Sequence, residues 1–458
     1  MSNVQTAPQT SSTRAAGAAP AAESRTRTLT AAQSDYLYPW VRPYYGEPLA
    51  LSRGEGVWLT DVDGDEYLDL FAGILTTSVG HCNPAVVEAA RAQMERLGHT
   101  SALYVTEGQI EAARSLAEIA PGALRTSCFT NSGTEAVESA VATARLYTGR
   151  HEIVALRLSY SGRSTLTSHM TAQGAWRLPG GGVDGIVHAR SPYLYRSPVG
   201  PGPEATDFFI DDLVEVIETT TGGKPAAFFA ETIQGVAGVI VPPPDYFRRA
   251  AEVIRSYGGL FIIDEVQAGF GRTGDRWFGI EHWGVEPDIM VMAKGIANGF
   301  PVGATVTRPE IAEAWQGPSI STYGGNSISM AAMRATLGVM KSENVRARAA
   351  ERGAQLRVGL EALKRAHGWI GEVRGMGLMQ GIEMVADGDG RAPDGDGRAP
   401  DGERAGALLE AAREERLLIG RGGLNGHVIR IGPSLLISED EMAEGIRRLA
   451  AACRRIDG

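Results

Sequence analysis

A lysine at the end of an apolar run is the first candidate for covalent chemistry in this chain. Only four of the 44 lysine and arginine residues are lysines. Lys224 lies in a Gly-Pro turn, and Lys341 and Lys364 lie at polar helix positions, where a lysine stays solvated. Lys294 instead follows the apolar run 289–293, and desolvation at the end of a buried strand makes an amine nucleophilic. The alternative is a strand-end lysine that extends into water.

Two acidic residues follow another apolar run, just before the Lys294 run in the chain. Asp264 and Glu265 come directly after residues 260–263. In open α/β sheets, ligands collect at the carboxyl ends of strands, so Asp264 and Lys294 are expected at one edge. A lysine that forms an imine and a carboxylate that faces a pyridine nitrogen are the groups that pyridoxal phosphate requires. The pair favours the catalytic interpretation of Lys294.

A cluster of small polar residues could hold the phosphate of such a cofactor. Thr130, Asn131, Ser132, Gly133 and Thr134 lead from a predicted strand into a predicted helix. Free backbone N–H groups and the helix dipole at this point favour an anion. An ordinary Ser/Thr helix cap is the alternative, and the motif alone does not decide between them.

A glycine pattern at 269–274 matches the dinucleotide-binding fingerprint G-x-G-x-x-G, and Asp288 follows at a suitable distance. That fingerprint requires a helix directly after the third glycine. Gly279, Gly284 and Pro287 interrupt the next segment, so no such helix is expected. The glycines are predicted to shape a loop, which argues against a nicotinamide dehydrogenase.

The overall composition is that of an acidic globular protein. The 458 residues carry a formal net charge of −10 with a pI of about 5.5, which argues against nucleic acid and acidic membranes as partners. The three cysteines form no C-x-x-C pair, so neither a disulfide scaffold nor a zinc module is expected, and no metal site is predicted. No uncharged apolar run approaches the roughly 18 residues of a membrane helix.

Two segments lack the pattern of a packed core. Residues 1–34 are rich in Ala, Ser, Thr and Pro without apolar periodicity, which predicts a disordered tail; an organelle transit peptide is the alternative. No secretory apolar segment is present, and a cytoplasmic location is predicted. A seven-residue unit, Asp-Gly-Asp-Gly-Arg-Ala-Pro, repeats within 387–402 and is predicted to be a surface loop.

The remaining chain alternates between strand-like and helix-like segments, which predicts an α/β fold with a mainly parallel sheet flanked by helices. A hairpin is expected around Asp63-Gly64, order is expected to begin near Tyr36, and residues 328–366 are predicted to form one long helix. The β-rich runs are 128–130, 153–156, 227–230, 260–263 and 289–292, and the helix-like stretches between them are 84–97, 107–119, 134–147, 211–219 and 244–257.

With these residues in place, the chain from about 38 to 450 resembles the class III pyridoxal-phosphate aminotransferases of fold type I. The resemblance rests on FTNSGTEAVESA (129–140), FAETIQGVAGVIVPP (229–243), IIDEVQAGFGRTG (262–274), DIMVMAKGIANGFPVGA (288–304) and STYGGNS (321–327). Within the family, GILTTSVGHCNP (73–84), the LPGGG stretch and the phrase IQGVAG most resemble the alanine–glyoxylate aminotransferase branch. The resemblance implies a large cofactor-binding domain over 84–327 and a smaller domain from 35–83 and 328–458.

The resemblance also implies roles for residues around the cofactor ring. Lys294 would carry pyridoxal 5'-phosphate as an imine and then move the proton between Cα and C4′. Asp264 would keep the ring nitrogen protonated, Val266 and Tyr160 would pack on the two ring faces, and Gln267 would bond the ring hydroxyl.

Further roles follow at the phosphate and around the substrate. Ser132, Gly133 and Thr134 would hold the phosphate, and Thr322 would reach the phosphate of the other subunit in an obligate homodimer, with a tetramer as the alternative assembly. Glu231 would support the ring-hydroxyl side through Gln267.

The substrate side gives the expected reaction. Arg430 would clamp the substrate α-carboxylate, and Val236 stands where enzymes for ω-amines carry a gating glutamate. The implied activity is transfer of an amino group from an α- or short β-amino acid to a 2-oxo acid such as pyruvate or glyoxylate. Ser161 replaces the usual histidine and puts the polarity at the ring edge in doubt. The alternatives are a decarboxylating transaminase of 2,2-dialkylglycine type, an aminomutase, or a catalytically silent protein of the same fold.

Overall fold

The computed structural model describes residues 24–177, 182–202, 204–386 and 398–457. The chain forms two compact units. One consists of the residues up to Ser52 together with Asp61–Asp65, and the other consists of Arg53–Thr60 and the chain from Glu66 onward. The predicted division into a large domain over 84–327 and a small domain from the flanking segments stays a prediction. In the part of the chain that the structure describes, no helix combines the length and apolar character needed to cross a bilayer.

The helices account for most of the chain outside the sheets. They are α1 (Arg25–Tyr36), α2 (Ala72–Leu75), α3 (Pro84–Arg96), α4 (Glu107–Ala117), α5 (Gly133–Thr148), α6 (Thr165–Met170), α7 (Ala205–Thr220), α8 (Tyr246–Ser256), α9 (Pro309–Ala312), α10 (Ser327–Ser342), α11 (Val345–Ala366), α12 (Gly402–Glu414) and α13 (Glu439–Ile456).

The strands form one large and two smaller sheets. They are β1 (Leu51–Glu55), β2 (Trp58–Asp61), β3 (Glu66–Asp69), β4 (Thr126–Thr130), β5 (Ile153–Leu156), β6 (Ile186–Ala189), β7 (Ala227–Glu231), β8 (Leu260–Asp264), β9 (Ile289–Met292), β10 (Gly303–Thr307), β11 (Ile370–Met376), β12 (Met379–Met384), β13 (Leu417–Leu418), β14 (Gly420–Gly422) and β15 (Val428–Ile431). The sheet orders are β4-β10-β9-β8-β7-β5-β6, β1-β2-β3-β13 and β11-β12-β15-β14.

The seven-stranded sheet is mainly parallel. The pairs β6–β5, β5–β7, β7–β8 and β8–β9 are parallel, while β10 runs antiparallel to both β9 and β4. Strands β5, β7, β8 and β9 are buried along their whole length, as expected for strands covered on both faces. The predicted α/β fold class is confirmed, and the predicted β-rich runs match strands β4, β5, β7, β8 and β9.

Helix α5 illustrates how the sequence forms an element beside this sheet. Ser132 is its N-cap, and the Ser132 hydroxyl accepts a hydrogen bond from the Glu135 amide at 3.2 Å. Gly149 ends the helix in the left-handed conformation, which glycine adopts without a Cβ penalty. A face of small and β-branched residues packs into the core, formed by Ala136, Val137, Ala140, Val141 and Ala144.

Two predicted boundaries are wrong. Residues 25–34, assigned to the disordered tail, lie in α1, where the hydroxyls of Ser24 and Thr26 donate to Asp63 at 3.1 and 2.8 Å. That contact is distant in sequence, so local periodicity does not show it. The single helix predicted over 328–366 is two helices, because Asn344 adopts a left-handed conformation with φ of 46° between α10 and α11.

Other predictions concern loops. The hairpin around Asp63-Gly64 is confirmed by the antiparallel pairing of β2 with β3. The 269–274 glycine pattern is followed by a 3₁₀ turn at Gly279–Trp283, so the helix that a dinucleotide site needs is missing at this place. Residues 1–23, most of the LPGGG stretch and 387–397 of the repeat lie outside the described residues. At the end of the repeat, the Asp401 side chain accepts from the Arg404 amide at 2.8 Å and caps α12.

Candidate active site

The carboxyl ends of three neighbouring parallel strands meet at one open cavity of about 330 Å³. Glu231 at the end of β7 pairs in register with Asp264 at the end of β8, and Asp264 pairs with Val291 of β9. Lys294 follows β9 and lines the same cavity. Most of the predicted site residues line it together: Ser132, Gly133, Thr134, Tyr160, Glu231, Asp264, Val266, Gln267 and Lys294.

Lys294 combines a strained backbone with a desolvated amine. Its φ is 47°, a left-handed conformation that costs a residue with a side chain, and it begins a 3₁₀ turn directly after β9. Burial lowers the pKa of the Lys294 amine to about 8; the charge of Arg430 acts in the same direction, and Asp264 and Glu231 oppose it. The site therefore raises the neutral, nucleophilic fraction of this amine at neutral pH.

Two buried carboxyl groups lie beside that amine. Burial raises the pKa of Asp264 to about 6, although the hydrogen bond from the Val266 amide (2.8 Å) and the charge of Lys294 act in the opposite direction. Burial and then the charge of Asp264 raise the pKa of Glu231 to about 8. The Glu231 oxygens accept from the backbone amides of Tyr160 and Gly235, each at 3.0 Å, so this side chain ties two loops to the strand end.

The turn from β4 into α5 forms a cradle at the N-terminal end of that helix. A Cβ added to Gly133 would lie 3.5 Å from Val266 and 3.6 Å from Ala293, so a side chain there would fill the cavity. The Thr134 hydroxyl accepts from the Arg163 amide at 3.3 Å, and Gly162, with φ of 134°, lies directly against that hydroxyl. Backbone N–H groups at a helix N-terminus are suited to an anion such as a phosphate.

Gln267 and Tyr160, two further predicted cofactor contacts, line the cavity, as does Ser161. Gln267 is buried, and its Oε1 has no hydrogen-bond partner among the described residues. Ser161 is buried as well, with an unpartnered hydroxyl. Tyr160 is half-buried and packs edge-on against Trp176, with ring centroids 5.9 Å apart. Unpartnered buried polar atoms in a cavity indicate a ligand that satisfies them.

Two predicted site residues are not among those that line the cavity. Thr322 is exposed on the loop before α10. Arg430 is buried on β15, where its guanidinium lies 5.1 Å from the centre of the Phe71 ring and its Nε donates to the Arg421 carbonyl at 3.3 Å. The positive charge of Arg430 nevertheless acts to lower the pKa of the Lys294 amine.

The cavity also contains residues that the sequence reasoning did not assign. Thr76, Ile233 and Phe300 contribute to its lining. Thr76 follows the short segment α2, in which Ala72, Gly73, Ile74 and Leu75 all have φ between 51° and 66°. A left-handed turn of this kind has no local sequence signal beyond its single glycine, although the motif at 73–84 marks the segment.

The cavity fits pyridoxal 5'-phosphate. It offers an anion cradle, a desolvated lysine, a buried carboxylate and an unpartnered amide oxygen along one wall, which are the groups that bind the phosphate, C4′ and ring of that cofactor. Such a site at the carboxyl edge of a mainly parallel sheet defines a pyridoxal-phosphate transferase of fold type I.

Comparison with known proteins gives the family. The model of the family described as "Aminotransferase class-III" matches residues 42–453. The chain is 40% identical over 410 residues to alanine–glyoxylate aminotransferase 2 homolog 2, mitochondrial, of Arabidopsis thaliana, covering 89% of this chain and 83% of the relative. It is 40% identical over 409 residues to acetylornithine aminotransferase of Methanopyrus kandleri, covering 89% and 95%.

Solved structures agree. An amine transaminase from an uncultivated Pseudomonas species, determined with pyridoxal phosphate bound, superposes with a TM-score of 0.84 at 32% identity, covering 92% of this chain and 98% of the other. The chain therefore belongs to the class III aminotransferase family, and it is a pyridoxal-phosphate-dependent enzyme.

Proposed function

We propose that this aminotransferase moves an amino group from an α-amino or short β-amino acid to a 2-oxo acid such as pyruvate or glyoxylate. The observation that carries the proposal is that Lys294, Asp264 and the anion cradle share one cavity, with the charge of Arg430 acting on the lysine. The Arabidopsis relative is named for alanine and glyoxylate, which supports this substrate pair.

The predicted site residues each have a proposed task. The cofactor supplies a ring that delocalises the negative charge left when a proton leaves the substrate Cα. Lys294 holds the cofactor at C4′, and its freed amine takes the proton from Cα and returns it at C4′. Asp264 keeps the ring nitrogen protonated, which stabilises the developing charge electrostatically. Glu231 supports the ring-hydroxyl side through Gln267, and its carboxyl group also anchors the loop that carries Tyr160.

The cofactor contacts complete that proposal. The hydroxyls and amides of Ser132, Gly133 and Thr134 bind the phosphate, and the aliphatic side chain of Val266 packs on the ring. Gln267, with its buried and unpartnered Oε1, bonds the ring hydroxyl, which is a donor when protonated.

Arg430 sets the proposed donor class. A guanidinium binds a carboxylate with two parallel hydrogen bonds, so Arg430 selects donors that carry a carboxylate near the reacting amine. Val236 lies on the neighbouring loop, where its carbonyl accepts from the Gly423 amide at 2.9 Å, and its side chain cannot pair with a guanidinium. The lack of a carboxylate side chain at position 236 favours donors with an α-carboxylate over ω-amines.

We also propose a homodimer, alone or paired into a tetramer, in which Thr322 of one subunit reaches the phosphate of the other. Tyr323, next to Thr322 in the chain, is exposed and lies tilted against His99 with ring centroids 5.0 Å apart. Tyr104 and Val105, just before α4, are exposed as well. Large exposed apolar side chains are typical of a surface that another chain covers. A cytoplasmic location remains part of this proposal.

A single half-reaction tests the function. Purified holoenzyme is mixed with excess L-alanine, and then with other α- and β-amino acids, without any 2-oxo acid. We expect one equivalent of the matching 2-oxo acid per bound cofactor and no carbon dioxide. Release of carbon dioxide would instead establish the decarboxylating alternative, and an isomerised amino acid would establish an aminomutase.

Substitution of Lys294 gives the largest expected effect. We expect Lys294→Ala to lower turnover by about 10³-fold or more, since no second lysine is found among the described residues that line the cavity. Lys364→Ala, at a helix position far along the chain in α11, is the matched control and should keep full turnover. A Lys294→Ala enzyme with normal turnover would refute the assignment of Lys294 and point to another base.

A further inference from the structure

A second open cavity of about 410 Å³ has a strongly basic lining. We call it the arginine cavity and define it by Arg157, Arg190, Arg196, His427, Phe208 and Leu424, which all line it. No aspartate or glutamate is found among its described lining residues. Apart from these polar groups its walls are largely apolar, which is the usual make-up of a small-molecule site.

Two of its three arginines are paired with carboxylates. Arg190 contacts Asp212 (Nε to Oδ1, 3.0 Å) and lies 5.1 Å from the centre of the Phe208 ring. Arg196 pairs with the fully buried Glu383, with 2.6 Å between Nε and Oε1. These contacts fix both guanidinium groups and compensate their charges.

Arg157 differs from the other two. Its backbone is held, since its amide donates to the Ala189 carbonyl at 2.8 Å and its carbonyl accepts from Gln234 Nε2 at 2.9 Å. Its side chain is exposed, and within the described ranges its guanidinium has neither a hydrogen bond nor an ion pair. The cavity thus has one uncompensated positive charge on a fixed segment.

His427 adds an independent sign of a missing ligand. The side chain is only 3% exposed, yet its Nδ1 has no hydrogen-bond partner in the described structure. Its Nε2 lies 3.5 Å from Glu383 Oε1, which is an ion-pair distance and longer than a hydrogen bond. A buried imidazole that lines a cavity with an open nitrogen is a costly arrangement unless another group satisfies it.

We propose that the arginine cavity is a second binding site for a small organic monoanion with an apolar, preferably aromatic, body. This site is separate from the cavity that contains Lys294 and Asp264, which we call the catalytic cavity. The carboxylate of such a ligand pairs with Arg157 and accepts from His427, and its body packs on Phe208 and Leu424. A single uncompensated charge fits a monoanion better than a polyphosphate, which needs several free cations. The volume is that of sites for small molecules.

Neighbouring segments of the chain line the two cavities, but the cavities share none of their described lining residues. Residues 157–158 line the arginine cavity and residues 160–162 line the catalytic one. Ile233 lines the catalytic cavity and Ala237 the arginine cavity. Because an aromatic carboxylate could also enter the catalytic cavity and meet Arg430, the test must separate the two sites.

The test uses ¹⁹F NMR of 4-(trifluoromethyl)phenylacetate titrated into the holoenzyme. We expect saturable binding that survives in Arg430→Gln and weakens about tenfold or more in Arg157→Gln, the loss expected for a charge-assisted hydrogen bond. Arg365→Gln, at an exposed position on α11, is the matched control and should bind like the parent enzyme. The neutral amide, 4-(trifluoromethyl)phenylacetamide, should bind as weakly as the acid binds to Arg157→Gln.

A second pair of variants tests the site without changing Arg157, in case Arg157→Gln loses binding because it misfolds. Leu424 is 52% exposed at this cavity, so Leu424→Asp should repel the probe while the isosteric Leu424→Asn should not. Binding that disappears in Arg430→Gln but persists in Arg157→Gln would place the probe in the catalytic cavity and overturn the proposal. Equal affinity for acid and amide, or no saturable binding, would overturn it as well.

Discussion

Two clusters of buried carboxyl groups in this enzyme have opposite electrostatics. In the catalytic cavity, burial raises the pKa of Asp264 to about 6 and that of Glu231 to about 8. In the sheet β11-β12-β15-β14, Glu383 is fully buried too, and burial alone would raise its pKa. His427, Arg374 and Arg196 instead hold the pKa of Glu383 well below its usual range.

The two clusters differ in which group supplies the positive charge that faces the buried acid. Glu383 has Arg374 at 2.5 Å, Arg196 at 2.6 Å and a hydrogen bond from the Tyr193 hydroxyl, so its charge is satisfied within the protein. Asp264 has a single backbone amide and a lysine whose own charge is weakened. Under the proposed function, a protonated pyridine nitrogen would provide the cation that this site lacks. A buried acid with a raised pKa in a cavity therefore indicates a missing partner, whereas one with a lowered pKa indicates a completed structural network.

Among the tests of this contrast, Asp264→Asn has the largest expected effect. The amide cannot hold the ring nitrogen protonated, so we expect turnover to fall by about 10²–10³-fold while the cofactor stays bound through the cradle. Steady-state kinetics and the cofactor content of the purified variant measure the two effects. Asp275→Asn, in the loop after the 269–274 glycines, is the control. Full activity in Asp264→Asn would mean that the raised pKa of Asp264 has no catalytic meaning.

Glu383→Gln tests the structural cluster. Removing the Glu383 charge takes a buried carboxylate partner from both Arg196 and Arg374, although Arg374 keeps its ion pair with Glu372. We expect the free energy of unfolding to fall by about 3 kcal/mol or more. Denaturant unfolding measures the change, and turnover per folded molecule should stay the same. The exposed pair of Glu88 with Arg91 is the comparison, and Glu88→Gln should change stability little. A Glu383 variant of normal stability but low activity would reverse the two roles.

The pH dependence of cofactor uptake has the smallest expected effect of these tests, and it tests the lowered pKa of Lys294 directly. Because burial lowers the pKa of Lys294 to about 8, the neutral amine dominates above that pH. We expect the rate of pyridoxal phosphate uptake by apoenzyme to rise about tenfold per pH unit below pH 8 and to level off above it. The growth of the visible absorbance band measures this rate. A rate that keeps rising to pH 10 would indicate an ordinary, solvated lysine.

Sequence reasoning found the catalytic cavity because its residues have local signatures. Lys294 and Asp264 each end an apolar run, and the edge of a parallel sheet brings such ends together. The cradle at Ser132 to Thr134 sits at a strand-to-helix junction that the pattern also predicts. The pairing of parallel strands therefore allows residues that lie together in the structure to be predicted from their positions in the sequence.

The arginine cavity and several boundaries had no such signature. Arg157 and His427 are separated by most of the chain, and only the packing of their segments brings them to one cavity. Helix α1 depends on Asp63, and the break before α11 depends on the backbone of Asn344. These features rest on tertiary contacts that override or add to local propensity.

The left-handed turn at α2 has a consequence for the dynamics of the catalytic cavity. Each such residue with a side chain costs about 1–2 kcal/mol, so local opening of this segment requires less free energy than opening of the strands of the seven-stranded sheet. The amides of Leu75 and Thr76 donate to the Phe71 and Ala72 carbonyls at 2.8 Å. Their hydrogens should nevertheless exchange with deuterated solvent sooner than that of Ile262. Since Thr76 lines the cavity, slower exchange at this turn would report the arrival of a substrate.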